Sequence, residues 1–214
     1  MNYETTLKTY DEIEGLRWVR NIDIQTGPYS SVLTGGNVTN LVIRQPGHDT
    51  EYKVWGIHLT SDDQLTFVSK SDDKPIVLPF KDCRKRSPTA GRFLEITAEP
   101  DTSKRLVIPM GVAHRPINVN GLITLNTPVF YWDYRRLNGY RMEDVGIINI
   151  KKDAEVDDFP LYDVCRFRVP DWAYPISNVL FKENFDPTYN SAFVFDLGGR
   201  LHVLRKSTSR SAIA

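Results

Sequence analysis

The chain holds four histidines, His48, His58, His114 and His202. Imidazole is the side chain whose ordinary pKa lies nearest neutrality, so these are the first candidates for moving a proton. His58 closes the run Val54-Trp55-Gly56-Ile57-His58, and His114 closes Pro109-Met110-Gly111-Val112-Ala113-His114. Each sits in an apolar, strand-like stretch, where a lone histidine is more often simply satisfied by its neighbours. A standard metal site of the His-x-His kind is absent, because Leu59 and Thr60 follow His58. With only His58 and His114 expected to converge, the ligands are too few for such a site, so neither a metal nor another cofactor is expected. Phosphate-binding G-x-x-x-x-G-K-[ST], dinucleotide-binding G-x-G-x-x-G and nucleophile-elbow G-x-S-x-G patterns are missing. Cys83 and Cys165 lack the C-x-x-C spacing of a metal or redox pair.

The elements that must position these histidines read as strands. Residues from Asp82 to His114 organise the chain: a charged turn through Ser87-Pro88-Thr89 and Gly91, then a strand Arg92 to Ala98. A polar loop leads to a second strand, Arg105 to Ile108, which Pro109 ends by removing a ladder donor. Gly111 permits a tight bend, and His114 is expected at the start of the next strand. A Gly/Pro corner between strands, with a polar side chain at its end, suits a barrel whose mouth holds a ligand. Earlier strands are expected over Val19–Ile24, Val38–Arg44, Tyr52–Thr60, Leu65–Ser69 and Ile76–Phe80, and a short helix over Tyr3–Leu16. Ile117–Val119 and Leu122–Asn126 flank Asn120-Gly121, a hairpin signal. Near the end, Ala192–Leu197 and Leu201–Leu204 flank Gly198-Gly199 as another hairpin. Few helix signals and many β-branched and aromatic runs point to a mainly antiparallel β architecture.

The residues Asp82, Arg84 and Ser87-Pro88-Thr89, then Leu106-Val107-Ile108-Pro109, then Gly111-Val112-Ala113-His114, resemble the dTDP-4-dehydrorhamnose 3,5-epimerase family, a sugar-nucleotide branch of the cupin superfamily. The resemblance implies a jelly-roll barrel over residues 1–130 with an N-terminal arm, and an irregular C-terminal extension over 131–214 packed on it. It implies a metal-free enzyme that takes a proton from the carbon beside a ketone of a nucleotide-linked 4-keto-6-deoxy sugar. His58, 24 residues before Asp82, matches the family's base, and His114 its second active-site histidine, which stabilises the enolate oxygen. Spacing brings Asp163 to the place of the carboxylate that orients the base. The chain departs from the family at the acid, because the strand Leu122–Asn126 has no tyrosine. Tyr131 and Tyr134 come later and are the substitutes. It departs again at the diphosphate: Trp55 stands at the place of an arginine and Gln64 near that of a lysine. Arg44, Lys53 and Lys70 are the compensating cations, and Trp55 a stacking surface for a sugar or base. The departures leave open a changed reaction on a non-sugar metabolite (isomerisation, cyclisation or dehydration) and a binding protein without turnover. The resemblance also implies a homodimer.

Composition sets the outer limits. At 214 residues the chain fits a single domain with a substantial core. Lysine plus arginine and aspartate plus glutamate number 27 each, so no net field favours nucleic acid or an anionic membrane. No apolar run reaches transmembrane length, and the polar N-terminus is not a secretory signal. A reduced, cytoplasmic setting with a small-molecule substrate is the expectation.

Overall fold

The computed structural model describes residues 5–22, 24–26, 31–33, 40–44, 46, 51–132, 147–164, 167–168, 192–196 and 201–205. His48, Tyr134 and Cys165 lie outside them, as does the side chain of His202. In chain order the strands are β1 (Thr6–Thr9), β2 (Arg17–Arg20), β3 (Ile24–Thr26), β4 (Ser31–Leu33), β5 (Asn40–Ile43), β6 (Val54–His58), β7 (Ser61–Ser69), β8 (Ile76–Asp82) and β9 (Phe93–Ala98). There follow β10 (Lys104–Ile108), β11 (Val112–His114), β12 (Ile123–Asn126), β13 (Val129–Trp132), β14 (Ile147–Lys151), β15 (Phe167–Arg168), β16 (Ala192–Asp196) and β17 (Leu201–Arg205).

Two antiparallel sheets form the jelly-roll sandwich. The first has the order β1-β2-β10-β7-β12-β5, with β13 joined to β7 and β15 to β13. The second has the order β14-β6-β11-β8-β9. Alternation of side chains explains the layers. Leu65 and Phe67 of β7 and Leu106 and Ile108 of β10 meet Ile76, Leu78 and Phe80 of β8 and Val112 of β11 in the space between the sheets. The other face of the second sheet is covered too. Trp55 and Ile57 of β6, Cys83 and Ala113 pack there against Phe159. With both faces covered, β6 and β11 read as near-continuous apolar runs, interrupted on the inner face by the histidines.

Several expectations are corrected here. The N-terminal helix is replaced by β1 and a turn, because Thr6 to Thr9 pair with β2 and this ladder overrides any local helical preference. His114 ends its strand and does not begin one. Asn120-Gly121 is a turn, but not a hairpin between strand neighbours: Ile117 only bridges Val77, and β12 pairs with β5 and β7. The irregular C-terminal extension is not what the described residues form. β14 is an edge strand of the second sheet, so that sheet draws on chain beyond residue 130. β16 and β17 pair antiparallel, as expected. Among the described residues no helix is long and apolar enough to cross a membrane.

The corner leading to His114 is tightly built. Asp82 is fully buried and accepts from Arg84 Nε at 2.8 Å, Arg84 Nη2 at 2.7 Å, Ser87 Oγ at 2.7 Å and Thr89 Oγ1 at 2.6 Å. Gly111 has φ +77°, and its amide donates to the His58 carbonyl at 2.6 Å. A Cβ there would stand 2.5 Å from both Arg84 Cγ and Val164 Cγ1. Gly111→Ala therefore combines a left-handed backbone with steric overlap, and should cost about 2 kcal/mol or more. Urea denaturation of the variant measures this; an unchanged midpoint would refute it.

Candidate active site

The β6–β7 connection crosses from one sheet to the other through Leu59 and Thr60. It turns the chain back on itself, so that Asp63 of β7 faces His58 of β6 across the sandwich. Asp63 Oδ2 lies 3.1 Å from His58 Nε2. The same oxygen lies 3.2 Å from His114 Nε2. The two imidazoles are stacked, with ring centroids 5.7 Å apart and planes 13° from parallel. One carboxylate oxygen of the first sheet is thus shared by two imidazoles of the second.

The surroundings fix each group. Asn126 Nδ2 of β12 donates to the other oxygen, Asp63 Oδ1, at 2.9 Å. Asn126 Oδ1 in turn accepts from the Gln64 amide at 3.1 Å. His114 Nδ1 lies 3.2 Å from the Val112 carbonyl, which can only accept, so this nitrogen carries a hydrogen. His58 Nδ1 is 3.4 Å from Ser61 Oγ. Asp63 is 4% exposed, whereas the His58 side chain keeps 20% of its surface open. Opposite His114 in the ladder stands Gly56, which puts no side chain beside the rings.

Burial by itself would push His58 below its ordinary pKa, but the Asp63 carboxylate outweighs burial and holds it above that value. Burial would also raise Asp63. The two imidazoles more than offset it, and Asp63 stays well below the usual carboxylate range. The result is a base of raised proton affinity held against a carboxylate that stays ionised.

The structure brings His58 and His114 together as the sequence suggests, and separates most of the other candidates from them. Asp163 is exposed on the outside of the second sheet and pairs with Arg86 Nε at 3.4 Å, so it does not support His58. Tyr131 donates to Asp62 Oδ2 at 2.7 Å. Alternation along β7 sends Asp62 to the face opposite Asp63, so this hydroxyl is not aimed at the histidines. Burial raises the Asp62 carboxyl, against the hydrogen bond from Tyr131. Trp55, three residues before His58, faces outward and meets Phe159 edge-on at a centroid distance of 5.4 Å. Gln64 is likewise turned from Asp63 by alternation. Lys70 is bound to Asp72 at the far end of β7, about 23 Å along the strand from Asp63. Lys53 is exposed, and the Arg44 guanidinium lies 3.8 Å from the centre of the Tyr52 ring.

The residues missed are Asp63 and Asn126. Asp63 also corrects the expectation that only two ligand-type groups converge: the donor atoms of His58, Asp63 and His114 all lie within 4.8 Å of one another. The signal available was the stretch Leu59-Thr60-Ser61-Asp62-Asp63. A turn at Leu59-Thr60 returns Ser61 and Asp63 to the side of His58.

The chain is similar to solved structures of sugar-nucleotide epimerases. A dTDP sugar isomerase from Desulfovibrio desulfuricans G20 is 17% identical, over 69% of this chain and 91% of its own, with a TM-score of 0.48. A dTDP-4-dehydrorhamnose 3,5-epimerase from Bacillus anthracis, solved with TDP and PPi bound, is 13% identical over 77% of this chain and 94% of its own, with a TM-score of 0.47. A dTDP-6-deoxy-D-glucose-3,5-epimerase from Legionella pneumophila, in complex with dTDP-4-keto-L-rhamnose, is 14% identical over 80% and 92%, with a TM-score of 0.46. No protein-family model matches the chain, and no curated protein matches it.

Proposed function

We propose that the chain is an epimerase-type isomerase that abstracts a proton from the carbon next to a ketone. The observation that supports this most is the single Asp63 oxygen shared by His58 and His114 between the sheets. With Nε2–H of His58 held by Asp63, its Nδ1 carries the free electron pair and takes the proton. The C–H pair becomes the carbon–carbon double bond of an enolate, and the charge collects on the former ketone oxygen. His114 in its imidazolium form keeps its Nδ1–H on Val112 and turns its Nε2–H from Asp63 to that oxygen. Water on the opposite face returns a proton to the carbon and His58 releases the abstracted proton to solvent, which completes the inversion. Asp63 stays ionised throughout and compensates the imidazolium that forms.

The substrate we infer is a nucleotide-linked 4-keto-6-deoxy sugar, on the motif resemblance through Asp82–Thr89 and Gly111–His114. The test is incubation with a dTDP-4-keto-6-deoxy sugar in buffered heavy water, with deuterium entry at the α-carbons followed by NMR. Entry that depends on His58 is the expected result. Its absence from every ketone offered would reject turnover in favour of a binding protein.

One specific observation favours a second reading, enolisation of a ketone that carries no nucleotide. Trp55 and Gln64, at the family's diphosphate places, face away from the histidines, and Tyr131 is committed to Asp62. Faster exchange on an unlinked ketone than on the dTDP sugar would select this reading. Either substrate should be indifferent to Asp163→Asn, since that side chain is exposed and holds only Arg86 among the described residues. An exchange rate that falls tenfold in this variant would return Asp163 to the mechanism.

A further inference from the structure

We propose that a cavity between the free edges of the two sheets binds a small organic anion with a flat ring, of the aromatic carboxylate class. The proposal stands apart from the function proposed above and from the histidine site. Lys104, which lines the cavity, lies four residues before Ile108, about 13 Å along the strand, and it is Ile108 that pairs with Asp63.

The cavity exists because two strands end their sheets without meeting. β1 pairs with β2 and β9 with β8, and among the described residues neither has a second partner. The space beside them measures about 410 Å³, within the range of small-molecule sites. Tyr10, Trp18 and Ala98 give it apolar walls.

A bulge in β1 decides which side chain guards it. Thr6 stands opposite Val19, so regular pairing would put Leu7 opposite Trp18, on the face toward the core. The register shifts at this point, and Lys8 stands opposite Trp18 instead, with Leu7 left half exposed. A bulge re-aims a side chain. Here it brings an ammonium group to a place that plain alternation would have closed with a leucine.

The rings and charges complete the site. Trp18 Nε1 donates to the Tyr10 hydroxyl at 3.1 Å, which satisfies the indole N–H and joins the two rings into one wall. Lys8 Nζ lies 4.7 Å from the centre of the Tyr10 ring, and Lys104 Nζ 5.1 Å from the Trp18 ring. Two like charges are thus gathered on neighbouring rings. Lys104 is paired with Asp101 at 3.2 Å, a partly exposed pair of the weak kind. Lys8 has no carboxylate partner among the described residues. A ligand carboxylate answers both ammonium groups, while its ring takes the place of their stems against Tyr10 and Trp18. Glu99, on the β9 side, accepts from a ring amine or hydroxyl and repels a second negative charge, which favours a monoanion.

The test is calorimetric titration with three probes: 4-aminobenzoate, acetate (charge without ring) and benzyl alcohol (ring without charge). One 4-aminobenzoate per chain is expected, bound about tenfold or more tighter than either of the others, and more weakly as salt rises. Lys8→Met keeps the stem and removes the charge, and should weaken binding about fivefold. A Lys8→Met/Lys104→Met double variant should lose saturable binding, with circular dichroism confirming its fold. His58→Ala should bind as the parent does. No binding by the parent, equal affinity for benzyl alcohol, or undiminished binding in the double variant overturns the site. Loss of binding in His58→Ala overturns it too, by placing the probe between the histidines.

Discussion

His58→Ala should slow deuterium entry at the ketone α-carbon by about 10²–10⁴-fold, the usual contribution of a positioned general base. The free imidazole must be deprotonated to act, so the parent rate should rise with pH through the His58 pKa. That value lies above the ordinary 6.5, because the Asp63 carboxylate outweighs burial. Asp63→Asn removes the carboxylate and keeps the shape. Burial then acts on His58 with no opposing charge, so its pKa should drop below the ordinary value. The rate limb should move to lower pH in this variant, while the plateau falls because a weaker base removes the proton. These two changes have opposite directions on the two parts of the profile, which a simple loss of folded protein does not produce. NMR titration of the His58 ring gives the shift without any substrate. An unmoved limb in Asp63→Asn would mean that the carboxylate does not tune the base, and undiminished exchange in His58→Ala would remove the base altogether.

How far the site is legible in the sequence follows from side-chain parity and from turns. His58 and His114 end short apolar runs that contain Gly56 and Gly111, and each lies on the inner face of its strand, so their convergence needs only the two-sheet architecture. Trp55 stands an odd number of residues before His58, and that spacing by itself sends it to the other face. Asp63 is harder to find. Counting residues down the chain leads to Asp163, because distance along the sequence does not register a chain that reverses through Leu59 and Thr60 into the opposite sheet. The partner of His58 is five residues away, not one hundred and five. Asn126 is legible only from pairing: β12 sits beside β7 with Asn126 opposite Leu65, on the inner face. The expected helix over Tyr3–Leu16 fails for a related reason, since the ladder to Arg17–Val19 is a long-range fact that local propensity does not contain.

Asp82→Ala should cost about 3–5 kcal/mol of stability, the range for removing one partner of a buried, hydrogen-bonded ion pair. The carboxylate is fully buried and serves four side-chain donors from Arg84, Ser87 and Thr89, plus the Arg84 amide at 3.0 Å. Its loss leaves a guanidinium whose side chain is 11% exposed with only the longer, 4.0 Å pairing to Glu14. Two hydroxyls lose their acceptor at the same time. For a chain of this size the cost corresponds to a fall of roughly 10 °C in melting temperature. Lys152–Glu51 is the control. Both side chains keep about two-fifths of their surface open, so Glu51→Ala should leave stability nearly unchanged. Acid should reproduce the loss in the parent. Burial would raise the Asp82 pKa, but the bonds from Arg84, Thr89 and Ser87 outweigh it and hold the carboxyl below its ordinary 3.8. A depressed carboxylate contributes its stability above the unfolded-state value, and that stability is lost as pH falls through the folded-state value. Urea midpoints measured from neutral pH downward should therefore fall across the acid range in the parent and fall less in Asp82→Ala. Because Gly111 packs its Cα side against Arg84, the same variant should also loosen the corner that delivers His114. A variant as stable as the parent would mean that the turn is held by its backbone alone.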